Sequence, residues 1–361
     1  QTLAPIIIED SDKFRRYLAR EALGAVFIVA PWNYPYLTAI NTLVPALVAG
    51  NAVILKHASQ TLLVGERLAD AFHAAGVPAD VFQNVVLDHA TTESLIGARA
   101  FDFVNFTGSV GGGQAMERAA AGTFTPMGLE LGGKDPSYVR HDADMALAIS
   151  ENVDGAFFNS GQSCCGIERI YVHDSVYDAF VEGFVDLTKQ YVLGNPMDAD
   201  TTIGPMVNAS AATFVRGQVS AALASGAYAL VDESHFAASN VGTAYMGPTV
   251  LVDVDHSMNI MREESFGPVI GIMRVKSDDE AIALMNDSPY GLTACLWTQD
   301  ISAAQTIGRR IETGTVFMNR CDYVDPTLVW SGVKDTGSGI ALSRLGFGPY
   351  TRPKSFHLKH N

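Results

Sequence analysis

Short apolar runs that stop at turn residues, each followed by a stretch with helical spacing, set the strongest limit on what this chain can become. Ala25 to Ala30 (AVFIVA) ends at Pro31, and Ala52 to Leu55 (AVIL) follows a turn at Gly50-Asn51. Runs this short that are apolar on both faces suit buried strands of a parallel sheet. Between them Thr38 to Val48 has helical spacing, and Leu62 to Ala75 reads as an amphipathic helix closed by Gly76 with Pro78 beyond. Phe101 to Phe106 alternates like a strand, and Gln114 to Ala121 reads as helix. Strand and helix in alternation is the rhythm of a doubly wound α/β fold.

The second half repeats it with Met145 to Phe158, Ile170 to Val172, Tyr177 to Val192, Val269 to Val275, Asp279 to Met285, Ile301 to Ile311 and Gly314 to Asn319. A chain of 361 residues carrying this pattern twice is expected to form two α/β domains, with a boundary near Gly133 to Ser137. Ahead of the first run, Pro5 to Ile8 and Tyr17 to Arg20 suggest the two arms of a hairpin.

Charge narrows the partners. The formal net charge is −15 and the basic residues are scattered, without the stripe of Lys and Arg that would neutralise a phosphate backbone, so nucleic acid is not expected. No apolar run is long enough to cross a bilayer, and the first residues lack the basic-then-apolar pattern of a signal peptide, so a cytoplasmic protein away from membranes is expected. The four cysteines, Cys164, Cys165, Cys295 and Cys321, have neither the spacing nor the histidine company of a zinc site; no metal is expected.

Chemistry is carried by three short motifs. Phe157-Phe158-Asn159-Ser160-Gly161-Gln162-Ser163-Cys164-Cys165-Gly166 ends a helical pattern in a small, glycine-flanked turn, which leaves a thiol approachable beside backbone amides. A thiolate attacks a carbonyl well and leaves well, so it can hold an acyl group between two half reactions. Glu130-Leu131-Gly132-Gly133-Lys134 sets one carboxylate before paired glycines, and Pro31-Trp32-Asn33-Tyr34-Pro35 sets one amide at a strand end. A carboxylate can deprotonate the water that opens a thioester, and an amide can donate to a developing oxyanion.

In this order the motifs resemble the aldehyde dehydrogenase superfamily. Lys56-His57-Ala58-Ser59-Gln60-Thr61, Phe106-Thr107-Gly108-Ser109 with Gly113, Glu263-Glu264-Ser265-Phe266-Gly267-Pro268, and Gly332-Val333-Lys334 with Gly337 and Gly339 extend the resemblance over nearly the whole chain. It implies two Rossmann-like domains plus a small oligomerisation hairpin and a C-terminal strand: hairpin 1–22, NAD(P)-binding domain 23–134, catalytic domain 135–340 and a tail 341–361 that joins the hairpin sheet. It further implies oxidation of a small aldehyde to the acid with reduction of NAD or NADP, through a hemithioacetal and thioester on Cys164. Asn33 and the Cys164 amide would form the oxyanion hole, Glu130 would activate the deacylating water, and Cys165 would be a packed neighbour. Trp32, Lys56, Ser59, Gly108, Ser109, Gly113, Leu131, Glu264 and Phe266 would bind the cofactor. Tyr34, Thr38, Asn41, Phe158, Tyr323 and Trp330 would line the substrate tunnel, with Asp322 in the segment at its mouth, and the chain would form a homodimer or tetramer.

Several positions depart from the family's pattern. The resemblance begins at the oligomerisation hairpin, so the N-terminal helical part of the cofactor domain has no counterpart in these residues. Ser59 stands where NAD-preferring relatives carry a Glu that repels a 2′-phosphate, which opens the site to NADP. His57 replaces a Pro and is expected to loosen the turn after Lys56. Thr42 and Ala341 replace a Lys and a Glu proposed to relay the proton from the general base. Two alternatives remain at this stage: a CoA-acylating relative, against which Glu130 argues, and a truncated, catalytically silent homologue.

Overall fold

A computed structural model describes residues 2–360 and divides the chain into two compact units. Unit 1 holds the chain up to Leu131, Val324–Ser331 and the segment from Gly337 onward, and unit 2 holds Gly132–Tyr323 with Gly332–Thr336.

The core of unit 1 is a six-stranded sheet in the order Gly337–Ser338, Met127–Glu130, Phe103–Thr107, Ala25–Val29, Ala52–Lys56, Phe82–Val85, all parallel except the first. Val26, Phe27 and Ile28 of its central strand are essentially inaccessible, as an apolar run covered on both faces must be. The chain runs outward from Ala25–Val29 through Ala52–Lys56 to Phe82–Val85, then returns to the other side at Phe103–Thr107. Strand order therefore reverses between Ala25–Val29 and Phe103–Thr107, and the carboxyl ends of such a pair form the crevice where doubly wound sheets bind ligands.

Two helices start earlier than the sequence reading places them. Pro35–Val48 opens on Pro35, whose fixed φ and missing N–H suit the first helical position. Val110–Ala120 takes Gly111, Gly112 and Gly113 into its first turn, because Ser109 caps it by accepting from the Gly112 N–H at 3.2 Å. Two of the glycines are needed there for close packing: a Cβ at Gly112 would lie 2.6 Å from the Phe106 ring, and one at Gly113 2.6 Å from a Leu131 methyl.

Unit 1 also carries a separate antiparallel sheet of Ile6–Asp10, Phe14–Ala22 and Thr351–Lys359. Its central strand pairs with the C-terminal one from Ala22 opposite Thr351 to Phe14 opposite Lys359, and the rings of Tyr17 and Phe356 stack at 4.6 Å.

Unit 2 is built on a seven-stranded sheet ordered Tyr228–Val231, Thr249–Val252, Val269–Val275, Ile167–His173, Asp135–Val139, Thr293–Trp297, Thr315–Met318, antiparallel only at the Tyr228–Val231 edge. The strand expected at Ile170 to Val172 begins three residues earlier, since Glu168 and Arg169 interrupt the apolar pattern yet both lie inside. A helix at Ala209–Ala224, capped by Asn208 on the Ala211 N–H, also escaped the sequence reading. Its apolar residues are mostly alanine, which marks no clear face.

Candidate active site

In unit 1 the site residues sit at the carboxyl ends of neighbouring strands. Val29 lies opposite Lys56 on one side and Phe106 on the other, and Thr107 lies opposite Glu130. Trp32, Asn33 and Tyr34, all half-buried, follow the first strand; Gly108 and Ser109 follow the third; Leu131 is buried just past the fourth. One row thus holds an amide, an ammonium, a helix N-terminus and a carboxylate.

Lys56 is 7% exposed, has no hydrogen-bond or ion-pair partner among the described residues, and burial lowers its pKa. A buried ammonium in that state is suited to receive hydroxyl or phosphate oxygens from a ligand. Together with the Ser109-capped helix, whose first N–H groups favour an anion, it fits the ribose and pyrophosphate of a dinucleotide. The turn after Lys56 is not loose, contrary to the expectation from His57. The His57 Nδ1 accepts from the Ala58 N–H at 3.0 Å and lies 2.8 Å from the Thr61 hydroxyl, which leaves Nε2–H to donate to the Pro35 carbonyl at 3.0 Å. This neutral tautomer matches a pKa lowered chiefly by burial. Ser59, in contrast, is exposed and donates only to the Gln60 side chain.

Glu130 keeps part of its surface open, yet the protein around it raises its pKa to about 7; the Thr107 hydroxyl, donating at 3.4 Å, opposes the shift. A carboxyl poised near neutrality is matched to taking a proton from water and giving it up again. Of the proposed tunnel residues in this unit, Tyr34 accepts at its carbonyl from the Thr38 hydroxyl at 2.8 Å, and Asn41 is half-buried. Trp330 is 8% exposed and pairs its backbone with Ala341 in both directions at 2.9 Å.

In unit 2 the site residues precede their strands. Cys164 stands three residues before Ile167–His173, Glu264 five before Val269–Val275, and Gly133 two before Asp135–Val139. These strands are neighbours in the sheet. The paired glycines explain how the loops approach: a Cβ on Gly133 would collide with the Cys164 carbonyl, and one on Gly132 with the Glu264 carboxylate. The Gly133 N–H donates to Glu264 Oε1 at 2.8 Å, while burial and the nearby Glu168 raise the Glu264 pKa to about 7.

The loop that carries Cys164 is fixed on both sides of it. Asn159, Ser160 and Gly161 take positive φ values of 51°, 58° and 70°, and the Ser160 hydroxyl donates to the Gly204 carbonyl at 2.6 Å. Cys164 is half-buried, and among the described residues all four cysteines are free thiols. Cys165 is 4% exposed and donates to Asp322 Oδ1 at 2.8 Å, and the Ser163 hydroxyl donates to the same oxygen at 3.1 Å. Asp322 is therefore a clamp on the residues flanking Cys164, a role that its sequence position in the tunnel-mouth segment does not suggest. Tyr323 is 40% exposed beneath the Arg320 guanidinium at 3.3 Å, and Phe158 is 51% exposed.

Sequence reading missed the layer beneath these loops. Glu168 accepts from Lys134 Nζ at 2.6 Å and from the backbone N–H groups of Ser265 and Phe266, each at 2.8 Å, and so fixes the segment that carries Glu264 and Phe266. Lys134 also donates to the Ser265 hydroxyl at 3.0 Å, and Arg169 donates to the Lys134 carbonyl at 2.9 Å. Two charges inside an apolar strand were the available signal.

A crevice that fits a dinucleotide in one unit and a braced, accessible thiol in the other match a class: oxidoreductases that couple a cysteine to a nicotinamide cofactor. The family model for the aldehyde dehydrogenase family matches residues 2–356. Geranial dehydrogenase of Castellaniella defragrans is 37% identical over 340 residues, covering 94% of this chain and 70% of that protein. The NADP(+) succinate-semialdehyde dehydrogenase of Mycolicibacterium paratuberculosis is 36% identical over 341 residues, covering 94% and 72%. The crystal structure of an NAD-dependent aldehyde dehydrogenase from Sinorhizobium meliloti superposes with a TM-score of 0.94 at 34% identity, covering 99% of this chain and 71% of that one. The chain belongs to the aldehyde dehydrogenase family, and as such is an oxidoreductase that converts aldehydes to carboxylic acids with NAD or NADP through a catalytic cysteine.

Proposed function

We propose that this chain is a hydrolytic aldehyde dehydrogenase in which Cys164 is the nucleophile, Asn33 and the Cys164 N–H hold the oxyanion, and Glu130 is the base for deacylation. The observation that carries the hydrolytic reading is the Glu130 carboxyl, raised to about 7 with part of its surface still open. An enzyme that passes its acyl group to CoA gains nothing from a base that activates water.

The Cys164 sulfur adds to the aldehyde carbon, and Asn33 with the Cys164 N–H stabilises the charge that forms on oxygen. The cofactor, when bound, accepts the hydride that leaves this carbon. Lys56, Ser59 and the Gly108, Ser109 and Gly113 turn orient its adenosine and pyrophosphate side. Trp32, Leu131, Glu264 and Phe266 orient its nicotinamide side. Glu130 then takes a proton from water as the water oxygen bonds to the thioester carbon and the Cys164 sulfur leaves.

NAD is slightly favoured over NADP, because Ser59 removes the repulsion of a 2′-phosphate but the 56–61 turn contains no arginine to clamp one. The substrate is a small aldehyde in a tunnel lined by Tyr34, Thr38, Asn41, Phe158, Tyr323 and Trp330. Unit 1 supplies the cofactor-binding domain and unit 2 the catalytic domain. The chain acts as a cytoplasmic homodimer or tetramer joined through the antiparallel sheet, where Ile6, Ile7 and Ile8 are each more than half exposed. No helix among the described residues is long and apolar enough to cross a membrane.

The deciding experiment follows reduced-cofactor absorbance with NAD or NADP and a panel of small aldehydes, with and without CoA. Reduction without CoA supports the hydrolytic reading. An absolute need for CoA replaces it with acyl transfer, and silence with every pair sinks the catalytic assignment.

A further inference from the structure

Two consecutive residues of unit 1 grip the segment that carries Asn33 at both of its ends. The Lys56 carbonyl accepts from the Ala30 N–H at 3.0 Å, and His57 Nε2–H donates to the Pro35 carbonyl at 3.0 Å. Between Ala30 and Pro35 lie only Pro31, Trp32, Asn33 and Tyr34, so the amide proposed for the oxyanion hangs between these two bonds. The His57 ring is 2% exposed, and its neighbours leave it one arrangement. A backbone N–H can only donate and a carbonyl can only accept. Nδ1, which takes the Ala58 N–H at 3.0 Å, is therefore bare, and Nε2 carries the proton that goes to Pro35. The Thr61 hydroxyl, 2.8 Å from the same Nδ1, donates to it and closes the turn that begins at Lys56. The Pro that the family's pattern places at this position stiffens a turn through its ring but has no hydrogen to donate. The link to Pro35 thus exists here because a His stands in its place.

We propose that His57 is a positioning residue that ties the dinucleotide turn to the oxyanion loop: Nδ1 keeps the 56–61 turn in shape for the cofactor, and Nε2–H holds Pro35, and through it Asn33, in place beside Lys56. The inference rests on Asn33 being the oxyanion donor and Lys56 a ligand of the dinucleotide. The two ring nitrogens serve different parts of the reaction. Losing the Nε2 bond frees one end of the 30–35 segment, so the Asn33 amide drifts from the charge it must meet, and addition to the aldehyde with loss of hydride slows. Losing the Nδ1 bonds loosens the turn that presents Lys56, and cofactor binding weakens. His57 acts only through these partners, without meeting the reacting atoms.

The test divides the imidazole between two amides. The oxygen of an Asn falls near the place of Nδ1 and the nitrogen of a Gln near that of Nε2, so each keeps one half of the pattern. His57→Asn is expected to slow the first burst of reduced cofactor about tenfold, with the KM for the dinucleotide within about twofold of wild type. His57→Gln is expected to do the reverse, with a burst rate within about twofold and a KM raised severalfold. General damage to the fold lowers both quantities in both variants, so the crossed pattern is the readout. Should His57→Asn fail to fold in thermal denaturation, His57→Pro decides, since it restores a rigid turn without the donor and is expected to show the same slow burst at near wild-type KM. A burst within about twofold of wild type in a folded His57→Asn or His57→Pro overturns the proposal, as does an equal loss in the Asn and Gln variants. Asn33→Ala separates the two layers: an unchanged burst there sinks the oxyanion reading itself, whereas a slow burst there with a fast one in His57→Asn sinks the link alone.

Discussion

The two units hold their proposed functional groups at opposite edges of similar sheets. In unit 1 Asn33, Lys56, Ser109 and Glu130 all lie at or just past the end of a parallel strand, where strand order reverses and helix N-termini begin. In unit 2 Gly133, Cys164 and Glu264 all come just before one, in the loops that lead into it. The carboxyl edge is a ready anion site, so unit 1 needs only glycines, one cap and one buried lysine. The amino edge offers no such help, and unit 2 compensates with buried side chains: Glu168 and Lys134 under the 264–266 segment, and Asp322 across the residues flanking Cys164. One edge works through backbone geometry and the other through side-chain bracing.

The largest effect that tests this contrast falls on the amino edge. Cys164→Ala is expected to lower turnover by about 10⁴-fold or more and to leave no acyl-enzyme in the mass spectrum. Turnover near wild type would remove Cys164 as the nucleophile. On the carboxyl edge Glu130→Gln is expected to cut steady turnover by about 10²- to 10³-fold while the burst of reduced cofactor survives. Losing the burst too would mean that Glu130 acts before the thioester forms.

The sign of the pH response follows from the Glu130 pKa of about 7, raised by burial. The base is the carboxylate, so deacylation should fall about tenfold for each unit below pH 7 and level off above it. For stability the sign is the reverse. The fold favours the protonated acid, so its contribution is complete below the ordinary value of 4.5 and is lost as pH rises to about 7. A deacylation rate flat between pH 5 and 8 would contradict the assignment.

Bracing on the amino edge predicts a stability loss that the carboxyl edge should not show. Glu168→Gln leaves Lys134 buried with its charge unmatched and is expected to cost about 3–5 kcal/mol in denaturant unfolding, well beyond an ordinary single substitution. Lys56→Met removes an ammonium that has no partner among the described residues and is expected to leave stability within about 0.5 kcal/mol. Its effect should appear in binding, as a rise of about tenfold in the KM for the dinucleotide with kcat little changed. Comparable stability losses in both variants would erase the distinction. The smallest effect is expected at exposed Ser59, where Ser59→Glu should raise the preference for NAD over NADP by about tenfold. An unaltered ratio of kcat/KM values would remove Ser59 from the cofactor site.

Much of unit 1 was legible because its signals are local. An apolar run, a proline or glycine, and then a helical stretch place Asn33, Lys56 and Ser109 at strand ends with no knowledge of the fold, since chain order and the carboxyl edge coincide in a doubly wound sheet. Gly111, Gly112 and Gly113 misled the reading of helix start, because low intrinsic propensity gave way to the Ser109 cap and to tight packing on Phe106 and Leu131. The strand at Ile167–His173 was seen only in its apolar half, because Glu168 and Arg169 look like surface charges until their partners are known.

The sequence alone therefore determined the α/β fold and the family, and it singled out the thiol, the carboxylate and the amide that we propose for the chemistry. Tertiary structure decided how those groups are held and tuned. Glu168 meets Ser265 and Phe266 across nearly a hundred residues, and Asp322 reaches Ser163 and Cys165 across more than 150. Burial, which raises the Glu130 pKa, is a property of packed surroundings. Hydrogen bonds and desolvation act through space, and no local pattern along the chain encodes the distances on which they depend.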